Sequence, residues 1–172
     1  ATAEGQRNIL AHYGITEATM GCPVKSRMEV VEIGQVKGTT VFCDRNAWEA
    51  DHIAVVGRVK AHTDFDGEIE SGLYKMMAIG LGKQHGAENY HRAGHHYGYA
   101  EIFPLVGQAV LDTGHVLFGL ATVENGYEET AKVQAVFPKD FREVEKGLLK
   151  AAKAWMARLP FEKSDILIVD EL

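Results

Sequence analysis

Short apolar segments with the composition of β-strands alternate along this chain with segments of helical periodicity. Residues 53–56, Ile-Ala-Val-Val, are bounded by Asp51-His52 and by Gly57, a pattern typical of a strand that is buried on both faces. A second apolar run, at residues 166–169, follows the longest helical pattern. The alternation predicts an α/β fold with a largely parallel sheet flanked by helices, in a Rossmann-like three-layer arrangement.

The segment after Pro138 has the clearest helical pattern. Its apolar residues recur at intervals of three and four positions and its charged residues fall between them, which predicts one face packed in the core. The apolar set consists of Phe141, Val144, Leu148, Ala151, Ala152, Trp155, Met156 and Leu159. Before this helix, residues 115–124 and 130–137 predict a pair of strands that turns at Asn125-Gly126.

The first half of the chain predicts a second pair of strands and then a helical region. Residues 27–36 and 39–43 are strand-like and flank Lys37-Gly38, a tight-turn signal. Helices are predicted from about residue 68 to residue 111. Glycine and proline weaken helices, so breaks are expected at Gly80-Leu81-Gly82, around Gly94 and near Pro104.

The composition restricts the class of protein. With 172 residues, 46% of them apolar and 24% charged, the chain has the size and balance of one globular domain, residues 1–172. Its net charge of −6 argues against a nucleic-acid partner, and no apolar run approaches the roughly 20 residues that span a membrane. Cys22 and Cys43 form no Cys-x-x-Cys motif, which favours a reduced, cytoplasmic protein. The expected partner is a small-molecule substrate, and the oligomeric state is left open.

Histidines are concentrated in one part of the chain. Of eight histidines, six fall within 45 positions: His52, His62, His85, His91, His95 and His96. His62 follows the predicted strand 53–56 by a short loop and precedes a helix. Ligands of open α/β sheets bind beyond the carboxyl ends of the strands, so His62 is the histidine best placed to meet a substrate. The alternative for each histidine is an exposed loop position.

Lys75 is the second candidate. In a helix over residues 68–81 it lies away from the apolar stripe, and its neighbours Ser71, Gly72 and Ala78 are small. Small neighbours leave room for a planar group beside the amine, whereas the alternative is a solvated surface lysine. The carboxylates of residues 64–70 are expected to favour the positive N-terminus of this helix.

Two other patterns allow further chemistry. Gly80-Leu81-Gly82-Lys83 is similar to part of a phosphate-binding loop, but it lacks the preceding glycine and the Ser or Thr after the lysine. His91 and His95 lie four residues apart, a spacing that suits a divalent metal on one face of a helix. A zinc-dependent hydrolase that uses His91 and His95 is therefore an alternative function. A non-catalytic module that binds a metal or a small anion is another.

The segment from Lys60, KAHTDFDGEIESGLYKMMAIGLGKQHGA, resembles a known family. It is similar to the N-terminal domain of the nickel-pincer lactate racemases, in a branch of uncharacterised isomerase-like proteins. That branch carries KPHTxFxGxxESGLxKM followed by IGLGKxxGA. The resemblance is specific over residues 21–94 and extends more weakly over the whole chain.

The resemblance implies a nickel-pincer nucleotide as cofactor. By motif, Lys75 corresponds to the lysine that holds this cofactor covalently, with Ser71 and Gly72 beside it, and His91 to the histidine that ligates nickel. His62 corresponds to one of two histidines that act as acid and base while hydride leaves and returns at C2 of a 2-hydroxy acid. The implied activity is that of a racemase or epimerase, an isomerase.

The resemblance also implies that the chain is an internal fragment of a longer protein. The family's second acid–base histidine and its phosphate-binding residues lie upstream of the segment that matches Ala1, and its C-terminal domain follows the segment that matches Leu172. We therefore expect the 172 residues to be inactive without the remainder of the parent polypeptide. The sequence Ser71-Gly72-Leu73-Tyr74-Lys75 differs from the Ser-Gly-Gly-Arg-Lys of lactate racemase, so the particular hydroxy acid is not assigned.

Overall fold

The computed structural model describes residues 2–158 and, beyond them, residues 161, 163, 165, 166, 168 and 169. Two short helices come first, α1 (Ala3–His12) and α2 (Glu17–Met20). Each follows a threonine whose hydroxyl accepts a backbone N–H of the first turn, Thr2 for α1 and Thr16 for α2. Such caps satisfy donors that have no partner within the helix.

The first pair of strands is an antiparallel hairpin, β1 (Val30–Val36) and β2 (Thr39–Asp44). At the turn, Lys37 and Gly38 have φ angles of 48° and 74°, as a two-residue turn with two positive φ angles requires. This confirms the predicted strand pair, although β1 begins at Val30 rather than at residue 27. Helix α3 (Arg45–Trp48) follows β2 directly.

The second sheet has three strands in the order β3-β4-β5. Strand β3 (Ile53–Arg58) is parallel to β4 (Val116–Glu124), and β4 is antiparallel to β5 (Thr130–Val136). The mixed α/β class is thus confirmed. The described residues do not form the largely parallel, Rossmann-like sheet that was expected. Of the strand pairs in the two sheets, β1–β2 and β4–β5 are each closed by a short turn, and such turns can join only antiparallel strands.

Only one face of β3 is covered in the described part of the chain. Val55 is 5% exposed and its neighbour Val56 is 61% exposed, so the prediction that residues 53–56 are buried on both faces is wrong. The covered face meets the helices closely: a Cβ at Gly119 of β4 would lie 2.6 Å from Leu73 and 2.7 Å from Phe141. The three-layer arrangement is therefore not seen, since these helices lie on one side of the sheet.

The helical region begins later than predicted. Residues 68–72 are loop, and helix α4 (Leu73–Lys75) continues into a π-helical turn (Met76–Gly80) and then into α5 (Leu81–Tyr97). Leu73 and Met77 are fully buried, and Ile69, in the loop, is 2% exposed. Ile69, Leu73 and Met77, three residues of the apolar stripe expected in a helix over residues 68–81, are therefore in the core, although Ile69 is not helical.

The breaks in the helical region differ from those predicted. Near Gly80-Leu81-Gly82 the helix is interrupted at Lys83, with φ 53° and ψ −153°. Gly94 lies inside α5, and Gly98, with φ 90°, separates α5 from α6 (Tyr99–Asp112). Pro104 lies within α6. A proline can stay there at the cost of one backbone hydrogen bond when packing compensates, and Pro104 is buried.

Helix α7 (Phe141–Trp155) follows a 3₁₀ turn (Pro138–Asp140) and confirms the clearest helical pattern of the sequence. Phe141, Leu148 and Ala152 are buried as predicted, whereas Trp155 and Met156 are 42% and 49% exposed. Leu159 lies outside the described residues. The apolar stripe thus packs in the core over the first three turns of α7 and leaves it at the end.

The predicted strand at residues 166–169 is not formed by the residues described there. Ile166, Ile168 and Val169 are exposed and have no strand conformation, and Leu167 lies outside the described residues. Among the helices that the structure describes, none combines the length and the apolar character needed to cross a bilayer.

Candidate functional site

The loop between β3 and α4 is folded around the carboxylate of Glu70, whose side chain is 0% exposed. Glu70 Oε2 accepts a hydrogen bond from the backbone N–H of His62 at 2.7 Å, and Oε1 accepts one from Gly67 N–H at 3.0 Å. Lys153 Nζ of α7 donates to Oε1 at 2.6 Å. Burial raises the pKa of Glu70, but the bonds from Lys153, His62 and Gly67 outweigh it and hold the pKa below its ordinary value.

The two ends of this loop are joined by backbone hydrogen bonds. Lys60 N–H donates to Ser71 O at 2.9 Å, and Ser71 N–H donates to Lys60 O at 3.3 Å. His62 therefore lies just beyond the carboxyl end of β3 and next to the start of α4, which is the position that the sequence predicted for it. The expectation that the carboxylates of residues 64–70 favour the helix N-terminus is wrong for Glu70, which instead binds the loop and α7.

Lys75 lies in the first turn of the helical region, with its side chain half-buried. Its Nζ is 3.4 Å from Ser71 Oγ, and it forms no ion pair with a carboxylate of the described residues. Burial lowers the pKa of Lys75, and the positive charge of Lys60 lowers it further, against a weaker opposing effect of Asp64. Lys75 is thus only partly exposed to solvent, and within the described part of the chain no carboxylate neutralises it.

His62 and Lys75 are close enough to affect each other electrostatically. Burial lowers the pKa of His62 below its usual range, and the Lys75 ammonium adds to this effect, while Asp64 opposes it. The His62 ring stacks on Phe65 with ring centroids 4.4 Å apart. Its Nδ1 accepts the backbone N–H of Asp64 at 3.1 Å. The ring is therefore held on two sides, and its lowered pKa favours the neutral form.

His91, the predicted nickel ligand, lies on α5 beside an aromatic cluster of Phe65, Tyr99 and Phe103. Its ring centroid is 5.6 Å from that of Tyr99 and 5.8 Å from that of Phe103, in edge-on contacts. Phe65, on which His62 stacks, lies 5.9 Å and 6.0 Å from the same two rings. The structure thus brings His62 and His91 to one aromatic cluster, although 29 positions (91 − 62) separate them in the sequence.

The other clustered histidines do not join this arrangement as a metal site. His95 is on α5 with His91, and its Nε2 is 3.2 Å from Tyr99 Oη. Within the described part of the chain, no three His, Cys, Asp or Glu side chains are grouped so that they could hold a metal ion. A zinc site needs three or four protein ligands, so His91 and His95 find no third ligand among the described residues. His52, His85, His95 and His96 are exposed, as is His91 itself.

Ser71 and Gly72, predicted beside the cofactor, are both buried. A Cβ at Gly72 would lie 2.5 Å from Oε1 of Glu145. The carboxylate of Glu145 on α7 therefore occupies the space beside Gly72, which is not an open recess. Sequence reasoning missed Glu145, although a signal exists: this charged residue lies four positions after Phe141 and three before Leu148, on the apolar face of α7.

The Gly80-Leu81-Gly82-Lys83 motif has a structural role. Lys83 Nζ pairs with Asp44 Oδ2 at 2.6 Å, and the two side chains are only 14% and 10% exposed. Lys83 Nζ also contacts Gln6 Oε1 at 3.2 Å. Through Lys83 the motif thus connects the start of α5 to the end of β2 and to α1. The amine of Lys83 forms its ion pair with Asp44.

The chain matches no protein-family model, and no curated protein matches it.

Proposed function

We propose that this chain forms part of a nickel-pincer-dependent racemase or epimerase that acts on a 2-hydroxy acid. The observation that carries the proposal is the pair formed by Lys75 and His62: a half-buried amine 3.4 Å from Ser71 Oγ, without a carboxylate partner among the described residues, and an imidazole whose pKa this amine helps to lower. Both lie beyond the carboxyl end of β3, where ligands of α/β sheets bind. The resemblance of residues 60–87 to the racemase family supports the same assignment.

The residues present fit such a cofactor in two respects. The lowered pKa of Lys75 increases the fraction of neutral amine, the form that makes a covalent bond. His91 is exposed on α5 and its ring borders Tyr99 and Phe103, next to the Phe65 on which His62 stacks, so the ring is accessible to a metal on the side of the candidate site. Lys75 would hold the group, with Ser71 Oγ beside it, and His91 would ligate the nickel; Gly72 faces Glu145 and would take no part. When bound, the group supplies soft sulfur donors and the site that takes up and returns hydride.

His62 would exchange a proton with the hydroxyl group of the substrate. Because Nδ1 accepts the N–H of Asp64, the neutral ring carries its proton on Nε2. To accept a proton at Nε2, the neutral ring must instead carry its proton on Nδ1, which breaks the bond from Asp64 N–H; the Asp64 carboxylate, 3.9 Å from Nδ1, is too distant for a hydrogen bond and acts there only through its charge. The backbone N–H of Asp64 thus favours the tautomer with the proton on Nε2, and the charge of the Asp64 carboxylate favours the protonated ring.

The setting proposed for this enzyme is the cytoplasm. Cys22 and Cys43 are both free thiols, as a reducing compartment favours. Cys43 is buried in the core. Its burial is the main cause that raises the pKa of its thiol to about 12, and the nearby charge of Asp44 adds to the effect. Its thiol is therefore unreactive at neutral pH.

The proposal is tested by intact mass and metal analysis of the full-length polypeptide, coexpressed with the enzymes that make the cofactor. We expect close to one nickel per chain and a mass adduct on the peptide that contains Lys75. Lys75→Arg should lose both, whereas Lys139→Arg, at an exposed position, should keep both. An unmodified Lys75 without nickel contradicts the proposal, and a bound adduct without turnover of any 2-hydroxy acid favours the non-catalytic binding module.

A further inference from the structure

Glu145 is a carboxylate in a position where the packing calls for an apolar side chain. It lies on the inner face of α7 and is 1% exposed. Burial raises its pKa to about 7, and hydrogen bonds from Tyr74 and Leu73 only partly offset this. A group of this kind is costly to bury and contributes little to stability compared with an apolar residue of the same size.

The carboxylate of Glu145 caps the helix that carries Lys75. Its Oε2 accepts the backbone N–H of Leu73 at 2.8 Å and that of Tyr74 at 3.2 Å. These are first-turn amides, which have no acceptor within their own helix. The residue before them, Gly72, has no side chain to supply a cap. The acceptor instead comes from a helix 72 positions later in the sequence.

Gly72 is what allows the carboxylate to approach. A Cβ there would meet Glu145 Oε1 at 2.5 Å and Val59 Cγ2 at 3.0 Å. Oε1 itself is buried and has no hydrogen-bond partner in the described part of the chain. One oxygen of Glu145 thus holds two amides, and the other is packed against the backbone of Gly72.

We propose that Glu145 is a positioning residue for Lys75: its carboxyl group fixes the first turn of α4 and so holds the Lys75 amine in its half-buried place beside Ser71 and His62. Lys75 directly follows the two capped residues, so any movement of this turn moves the lysine. The charged and titratable groups that face the amine are Lys60, Asp64 and His62. Glu145 therefore acts through the backbone and not as a neighbouring charge.

The relevance of this inference to catalysis rests on the proposed role of Lys75, but the inference itself concerns only the amine and needs no cofactor. It is tested on the 172-residue chain by competitive acetylation over a pH series. The apparent pKa of Lys75 is read by mass spectrometry, with exposed Lys139 as the internal reference. Failure to find a cofactor adduct on Lys75 would contradict the proposed function, whereas an unchanged apparent pKa of Lys75 would contradict only the positioning role of Glu145.

Glu145→Leu removes both acceptor oxygens. With Leu73 and Tyr74 N–H left without an acceptor, the turn should move towards solvent, and the apparent pKa of Lys75 should rise by about 0.5–1 unit. Glu145→Gln keeps one oxygen as acceptor and should leave the pKa of Lys75 close to that of the unaltered chain. Glu143→Gln, on the exposed face of α7 with its side chain 80% exposed, is the matched control and should change nothing.

An unchanged Lys75 profile in a folded Glu145→Leu variant overturns the proposal, and so does a Glu145→Gln variant that shifts as far as Glu145→Leu. If Glu145→Leu does not fold, Glu145→Asp takes its place. Aspartate keeps a buried carboxyl group but is one methylene shorter, so it withdraws from the two amides. The pKa of Lys75 should then rise as well, and an unshifted profile in that variant is equally contrary to the proposal.

Discussion

The carboxylate of Glu70 accepts the backbone N–H of His62 at 2.7 Å, eight positions earlier in the chain. The bond turns residues 62–70 into a closed loop whose centre is a fully buried acid. Lys153 of α7 completes it by pairing with the other oxygen of Glu70. The backbone position of the candidate acid–base histidine is therefore tied, through Glu70, to a helix far along the sequence.

Replacing Glu70 should loosen this loop and destabilise the fold. Glu70→Gln keeps one acceptor but loses the charge that pairs with Lys153, and we expect the free energy of unfolding to fall by about 2 kcal/mol. Glu68→Gln, in the same loop, removes an exposed carboxylate whose ion pairs with Arg142 and Lys146 are screened by water, so its stability should hardly change. Urea unfolding of both variants measures the difference, and equal stabilities would show that the Glu70 network contributes nothing.

The two buried acids, Glu70 and Glu145, should make the free energy of unfolding depend on pH in opposite directions. The pKa of Glu70 is lowered on folding, so its contribution is present above the unfolded pKa of about 4.5 and is lost as the pH falls through the folded value. The pKa of Glu145 is raised to about 7, so its contribution is full below about pH 4.5 and is lost as the pH rises to about 7.

The contribution of Glu145 can be isolated with one variant. Between about pH 4.5 and pH 7, ionisation should cost the folded state up to about 3 kcal/mol. Glu145→Gln cannot ionise, so its stability should decline less over this range than that of the unaltered chain. Thermal denaturation at several pH values measures both curves, and parallel curves would contradict the raised pKa.

Lys83 combines an ion pair with a backbone conformation that only glycine adopts freely. Lys83→Ala and Lys83→Gly both remove the amine that pairs with Asp44, so both should be destabilised by about 2–4 kcal/mol. Glycine tolerates φ 53° and ψ −153°, so Lys83→Gly should be the more stable of the two by about 1 kcal/mol. Chemical denaturation gives the ranking, and a more stable alanine variant would mean that the helix does not break at this residue.

The burial of one face of β3 can be tested at adjacent positions. Val55 is 5% exposed and Val56 is 61% exposed, so Val55→Ala should lower the free energy of unfolding by about 1–2 kcal/mol. Val56→Ala on the uncovered face should lower it by less than about 0.5 kcal/mol. Similar losses at both positions, measured by urea unfolding, would indicate that a further layer covers the outer face.

Local patterns in the sequence were sufficient for several features. The apolar periodicity after Pro138 predicted α7, and Lys37-Gly38 predicted the β1–β2 hairpin. The short loop after residues 53–56 predicted that His62 would lie beyond a strand end. These features depend on backbone preferences and on the spacing of apolar residues, which are properties of neighbouring residues and can be read without the fold.

The sequence by itself determined the mixed α/β class, α7, the two pairs of strands and the candidates His62, Lys75 and His91. Only the tertiary structure decided that one face of β3 stays uncovered, that Lys83 forms an ion pair with Asp44, and that Glu145 caps the helix that carries Lys75. Glu70 and Lys153 are 83 positions apart in the sequence. Apolar periodicity reports only on residues that are close in sequence, so it could not predict that these two side chains pair. A buried carboxylate is tolerated only where the packing of separate elements supplies donors, so its place becomes visible only when those elements are assembled.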